Sequence, residues 1–435
     1  MKRIILLLVV LYSSPGLMTS LAGEVIKLSS KELEVLFIER NLEILAEAYQ
    51  ISMADAAIAQ AKVWENPNLS VSNISFWSTS AQRNGEKNVI PPLFGKSGNN
   101  IEFSVELSQM ISLARKRSKL IEVEKVSKEI AICQFEELLR SLKYEFRNII
   151  LNYSYTESLT EILSEQKTAL EKLIRAYESQ AINGNIASRE VLRLKASQFE
   201  IDNEAVKLEK TIISLEKQIK SLLAIESPVR IHIDSSPNSY PKPANLLAEN
   251  LIDQALSSRP DMSLKKLNLE YYAKNLRYEK AQRIPELTVS LNYDRAGGVW
   301  KDFTGVGIGM DLPIFNRNKG NIKTMQYAIE QNKLHVRQQE INITNEVTES
   351  FTNYQKSYDF YFQDQHQLLI QEMKVMFQNY LKNMSERNIS MIEFLDFMDV
   401  YRSNSEAWAE AKKDIGESFE ELQYRIGHDL INNAQ

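Results

Sequence analysis

The feature that most constrains this chain of 435 residues is that it reads twice through one layout. Around Pro67 stands NPNLSVS and around Pro285 stands IPELTVS; in each place a helical pattern ends at proline and an alternating stretch begins. Proline has no amide hydrogen and disfavours helix in the residue before it, so it stops a helix physically. The upstream helices are predicted over 31–65 and 247–283. A repeat of this length means two copies of one supersecondary unit rather than a set of unrelated globular domains.

Four short stretches alternate with period two, the mark of strands with unlike faces. The spacing predicts strands near 68–77, 100–108, 286–294 and 304–312, the first weakened by a slip between Val71 and Ile74. Ile101, Phe103, Val105 and Leu107 alternate with Glu102, Ser104, Glu106 and Ser108, and Leu287, Val289 and Leu291 alternate with Thr288, Ser290 and Asn292. Val306, Ile308, Met310 and Leu312 alternate with Gly305, Gly307, Gly309 and Asp311. Strands of 9–11 residues, apolar outward and polar inward, suit a membrane barrel. The segments Ser78–Gly98 and Arg295–Thr304 read as the loops joining each pair. Four strands cannot close a barrel alone, and open edges are not viable in lipid, so several chains must pool them.

Each strand pair leads into a long polar helical run, Leu107–Asn185 and Leu312–Asn388. Such a run extends about 115 Å at 1.5 Å per residue, far beyond an ordinary globular helix. Leu139, Leu142, Phe146 and Ile149 step by three and four and form one narrow seam for neighbouring helices. Both runs are punctuated at matched places: Gly184-Asn185-Ile186-Ala187, and Asn388-Ile389-Ser390 after Arg387. Gly and Asn tolerate left-handed backbone and Ser caps a new helix, so these are predicted hairpin tips. The proline-rich segment between the copies reads as an extended connector. The division is therefore a first repeat over 23–226, a linker over 227–246, a second repeat over 247–430 and a tail over 431–435.

Residues 1–22 carry Lys2-Arg3, an apolar run from Ile4 to Leu11 and Ser20-Leu21-Ala22, the pattern of a secretory signal. Beyond them no apolar run is long enough for a membrane-spanning helix. The sole cysteine, Cys133, falls in the apolar row Val126, Ile130, Cys133 and reads as a small core side chain. A formal net charge of −5 argues against nucleic acid as partner. His232, His335, His366 and His428 are too widely spaced for a metal site, and neither a phosphate loop nor a nucleophile elbow is present, so no cofactor, metal or catalytic residue is expected.

Over the whole predicted mature chain the sequence resembles the outer-membrane efflux protein family of TolC-like exit ducts, nearest its heavy-metal (cobalt-zinc-cadmium) branch. The residues that carry the resemblance are NPNLSVS, ELSQMISLARKR from Glu106 to Arg117, Arg259-Pro260-Asp261, AQRIPELTVSLNY ending at Tyr293, and LPIFNRNKGNI from Leu312 to Ile322. It implies a mainly α protein with a transmembrane β part. Three chains would share a 12-stranded β-barrel, four strands each, continued by a long periplasmic α-helical barrel.

The implied function is a passive outer-membrane channel in a two-membraned bacterium, not an enzyme. It would be served by a periplasmic adaptor of the membrane fusion type and an inner-membrane pump of the resistance-nodulation-division type. The tips Gly184–Ala187 and Asn388–Ser390 would dock the adaptor. Glu393 and Asp396, three apart on one helical face, would narrow the inner entrance, with Glu190 and Arg193 at the matching first-copy positions. Glu102, Glu106, Asn292 and Asp311 would face the barrel lumen. The competing reading is a secreted soluble coiled-coil scaffold, which leaves the four amphipathic strands unexplained. Several members of the family carry a lipidated N-terminal cysteine, and this chain has none near its predicted cleavage site.

Overall fold

The computed structural model describes residues 25–75, 102–226, 229–234, 240–296, 300–386 and 388–430. The signal sequence, the predicted loop Ser78–Gly98 and the tail 431–435 lie outside these residues. In chain order the elements are β1 (Val25–Ser29), α1 (Ser30–Arg40), α2 (Leu42–Ala61), β2 (Asn68–Ser75), β3 (Glu102–Ile111), α3 (Lys116–Ile182) and α4 (Ser188–Leu222). There follow β4 (Arg230–Asp234), a 3-10 turn at Pro243–Asn245, α5 (Ala248–Ser258), α6 (Pro260–Ala281), β5 (Leu287–Ala296), β6 (Trp300–Met310), α7 (Lys319–Tyr361), α8 (Asp364–Ser385) and α9 (Met391–Ile426). No helix among the described residues is long and apolar enough to cross a membrane.

The chain divides into two compact units. One comprises Ala48–Gln134 and Asp261–Gln339 and holds an antiparallel sheet of order β2-β3-β5-β6. Beside the sheet, Lys128 pairs with Asp55 at 2.7 Å and Lys274 with Glu122 at 3.2 Å, tying α3 to α2 and to α6. Val126 and Cys133 are buried as the apolar row predicts. The predicted slip in the first strand is a β-bulge between Ser72 and Ser75, with Asn73 at φ 54°.

The other unit comprises Met1–Glu47, Phe135–Pro260 and Glu340–Gln435. It holds two apolar cores. Around Leu33, Phe37, Leu142, Phe146, Ile149 and Ile219 lies one, in which Phe37 and Phe146 stack at 4.6 Å between ring centroids. The second gathers Leu170, Leu194, Phe377, Phe394 and Met398 between the two helical hairpins. The seam Leu142, Phe146 and Ile149 is buried, with Leu139 packed against it.

Several expectations are corrected. The upstream helices are each interrupted, at Asn41 and at Arg259. Asn41 is buried; its Oδ1 accepts from the amides of Glu43 and Ile44, both at 3.0 Å, and its Nδ2 donates to the carbonyl of Leu222 at 3.0 Å. Arg259, also buried, donates to Glu346 at 2.8 Å and to the carbonyl of Arg425 at 3.1 Å. Each break residue thus reaches the last turn of the returning helix of its own copy, α4 or α9.

The first long run is one helix of 67 residues, whereas the second divides at Phe362–Gln363 into α7 and α8. In the first copy Thr156, Ser158 and Thr160 bond back to carbonyls one turn earlier and helix continues. The second copy has the aromatic run Tyr358–Phe362 there, and His366 Nδ1 lies 3.1 Å from the carbonyl of Phe360. The linker is not wholly extended connector, because β4 within it pairs in parallel with β1. The predicted loop Arg295–Thr304 is mostly strand, as Ala296 pairs with Trp300. At its far end β6 stops at Met310, which puts Asp311 and Leu312 beyond the strand.

Candidate functional site

Two places carry the residues singled out by sequence. In the sheet, register fixes which side chains share a face, since directly opposed residues lie on the same side. Leu69, Leu107, Leu291 and Val306 form one row across all four strands, and Ser70, Glu106, Asn292 and Gly305 form the next. The apolar face continues through Val289 and Ile308, with Gln109 opposite Val289 and Arg295 opposite Phe103; the polar face continues through Ser290 and Gly307, with Met110 opposite Thr288 and Phe303 opposite Asp294 near its two ends. Val306 and Ile308 are 72% and 77% exposed in the single chain.

On the polar face the glycines make room for their neighbours. A Cβ on Gly305 would sit 2.6 Å from Asn292 Oδ1, and one on Gly307 2.5 Å from Ser290 Oγ. Small residues there keep that face low and let the amide and hydroxyl lie across it. Of the four predicted lumen residues, Glu106 and Asn292 are direct cross-strand partners. Glu102 belongs to β3, and Asp311 lies one residue past β6.

The outer strands β2 and β6 have no partner strand on their free edges among the described residues. β3 ends four residues before α3, but β6 ends eight before α7. Counted back from the helix that follows, Asp311–Ile314 corresponds to Ser108–Ile111, the end of β3 that pairs with β5.

The second place is the pair of hairpin tips. At the first, Gly184 takes φ +73° and the amide of Asn185 donates to the carbonyl of Gln180 at 2.9 Å. At the second, the amide of Asn388 donates to Asn383 at 2.8 Å, the same bond in the other copy. Left-handed glycine followed by this long-range closure is how a helix ends in a Schellman turn. Between the tips lies a groove of about 650 Å³ lined by Asn185, Ile186, Glu190, Arg193, Ile389 and Ser390, with Tyr177 and Ile392. Residues of the predicted docking tips and the first-copy pair Glu190 and Arg193 therefore converge. Gly184 and Asn388 hold the turns, and Ala187 is the N-cap of α4 without a side-chain cap.

Glu393 and Asp396 are exposed on α9 and do not line that groove. Glu393 has a second task that spacing alone had not assigned. Ser390 Oγ accepts from the amide of Glu393 at 3.2 Å, and Glu393 Oε2 accepts from the amide of Ser390 at 2.9 Å, closing a capping box. Bonds from the Ser390 backbone and hydroxyl hold the Glu393 carboxyl below its usual range. The signal Ser-x-x-Glu was present in the sequence. Ala187 removes the corresponding box from the first copy.

Exposed apolar stripes are a further feature that the sequence reading missed. Along α4, Leu192, Phe199, Val206 and Ile213 stand seven apart and are all exposed, at 49–74%. On α8, Leu368 and Val375 repeat the interval. A spacing of seven is the seam of one helix against another.

The Campylobacter jejuni CmeC outer membrane channel superimposes with a TM-score of 0.73 over 91% of this chain and 85% of its own, at 14% identity. The channel-forming protein CusC superimposes with a TM-score of 0.71 over 92% of each chain, at 15% identity. The cobalt-zinc-cadmium resistance protein CzcC of Cupriavidus metallidurans is 21% identical over 288 residues, 65% of this chain, and the match spans 62% of that relative's length. The profile of the outer membrane efflux protein family matches residues 35–224 and 251–376, most of both copies. The chain therefore belongs to the outer membrane efflux protein family, whose members are channels and not enzymes.

Proposed function

We propose that three copies of this chain form the outer-membrane channel of a tripartite efflux system, a passive duct from periplasm to exterior. The single observation that carries this reading is the sheet: four strands with a central apolar face through Leu69, Leu107, Leu291 and Val306, an opposite face through Ser70, Glu106, Asn292 and Gly305, and two edges unpaired among the described residues. In hydrocarbon such edges must be paired, and a ring of twelve strands does this with β6 of one copy beside β2 of the next. Segment Asp311–Ile314, which follows the end of β6, would then extend that edge along the neighbouring copy. The heptad stripes on α4 and α8 supply seams between copies in the helical part.

Export would follow from the signal at 1–22, and the helices would lie in the periplasm. There the tips Gly184–Ala187 and Asn388–Ser390 would meet an adaptor of the membrane fusion type, which brings an inner-membrane pump of the resistance-nodulation-division type. Energy and most selectivity belong to those partners. Metal cations are the proposed cargo, supported by the match to a cobalt-zinc-cadmium resistance protein. At the inner entrance the proposed gate is Glu393 and Asp396, with Glu190 and Arg193 of the first copy; Glu106 and Asn292 line the barrel.

Mass measured on the detergent-solubilised protein tests the assembly. The expected result is a trimer; a monomer stable in lipid overturns the barrel. A soluble coiled-coil scaffold would instead leave the membrane fraction on washing with salt or alkali.

A further inference from the structure

All four connections between the sheet and its helices lie at one end of the sheet, as the registers Asn68–Ser108, Ile111–Leu287 and Leu287–Met310 require. Within 60–67, 111–119, 279–286 and 311–323 the sequence places ten lysines and arginines against four carboxylates. The whole chain carries a formal charge of −5, so this band is a concentrated reversal of sign. Two of its four carboxylates are engaged internally: Glu286 with Lys116 at 2.6 Å, and Glu279 with Asn318 through a hydrogen bond. Lys62, Arg115, Arg283, Arg317, Lys319 and Lys323 are exposed.

The same band exposes large apolar side chains. Trp64 is 60% exposed and carries the Arg117 guanidinium 4.0 Å from its ring centroid, while Phe315 is almost wholly exposed. One Arg117 amino group is buried without a hydrogen-bond partner. The amphipathic indole of Trp64 beside a cation suits the headgroup layer of a bilayer, and the apolar Phe315 ring suits the acyl chains just below it.

We propose that this junction is a binding belt for anionic phospholipid, with headgroup phosphates on its exposed arginines and lysines and acyl chains against Trp64 and Phe315. The proposal rests on the barrel reading, which sets the junction where the strands leave the bilayer on the helical side. Charge is what selects the occupant: a zwitterionic lipid satisfies the aromatic rings equally well but leaves the excess cations without counter-charge. A second copy covering the same residues would hide the rings and leave the basic excess unexplained.

The test uses the full chain reconstituted in phosphatidylcholine vesicles containing either phosphatidylglycerol or phosphatidylcholine brominated near the carbonyl end of the acyl chain. Trp64 is made the sole tryptophan by W77F, W300F and W408F, and its fluorescence reports nearby bromine. Brominated phosphatidylglycerol is expected to quench Trp64 more than brominated phosphatidylcholine at equal mole fraction, and 1 M salt should remove the difference. R317Q/K319Q/K323Q should lower the preference by on the order of 100-fold, because three cations at about 1 kcal/mol each contribute about two decades of affinity at an anionic surface. Equal quenching by both lipids overturns the proposal, as does a preference that survives the triple variant and high salt. V306W in a chain without other tryptophans checks the barrel separately. Quenching of V306W by lipid brominated at mid-chain, with none of Trp64 by lipid brominated near the carbonyl end, means that protein covers the belt and overturns this inference alone, whereas no quenching of V306W by the mid-chain lipid overturns the barrel reading.

Discussion

Arg147 shows how much one residue can organise. It pairs with Glu34 at 3.0 Å, Glu420 at 2.9 Å and Asp429 at 2.7 Å, and Lys143 joins both Glu34 and Asp429. The two carboxylates shift oppositely. Burial pushes Glu420 up despite Arg147; burial also works on Asp429, but hydrogen bonds from Arg147 and Lys143 outweigh it and hold it below its usual range. A depressed carboxyl contributes stability that is present above its unfolded pKa of about 3.9 and is lost as pH falls through the folded value. Asp429→Asn should therefore lower the melting temperature at neutral pH, and the difference from the parent should shrink as the buffer is taken below about pH 4; thermal melts in detergent across that range check it. The buried seam through Phe146 was legible because its spacing repeats every turn. Asn41 and Arg259 were not, since a polar residue inside a helical pattern reads as a solvated position until the carbonyl it reaches is known.

Among the elements, the strands were the most readable, because alternation records two unlike surroundings directly in the sequence. Their ends were less so: Arg295–Thr304 holds polar and glycine residues that suit a loop, yet β5 and β6 pair as far as Ala296 and Trp300. The pair β1–β4 escaped notice because five-residue strands 200 residues apart leave no local pattern. The break between α7 and α8 escaped too, as neither Gly nor Pro marks it. The assignment of faces makes a direct prediction. Leu291→Arg places charge on the apolar face and should cost roughly 2–4 kcal/mol near mid-membrane, while Glu106→Arg on the opposite face should leave assembly intact. Trimer yield after heating in detergent distinguishes them, and equal losses contradict the assignment.

At the scale of the whole molecule, the duplicated plan was visible from sequence, but the division of labour within the proposed gate was not. Glu393 holds the start of α9, so replacing it with Ala would damage the helix as well as the charge. Glu393→Gln with Asp396→Asn keeps an acceptor for the Ser390 amide and removes both charges. Single-channel recordings of that variant should show weaker cation preference and weaker block by divalent cations added from the tip side. Unchanged selectivity and block would make these carboxylates a solvated helix face. The order β2-β3-β5-β6 has a genealogical consequence. The join between β3 and β5 has the same form as the one proposed between β6 and the next copy's β2, so a half-length ancestor could have closed the same ring as six identical pieces. Fusion into one chain freed the two halves to drift apart. Where Asn41 meets Leu222 by a neutral amide, Arg259 meets Arg425 and needs Glu346, so the halves now share an address but no longer a chemistry, and exchanging one for the other would strand a buried guanidinium.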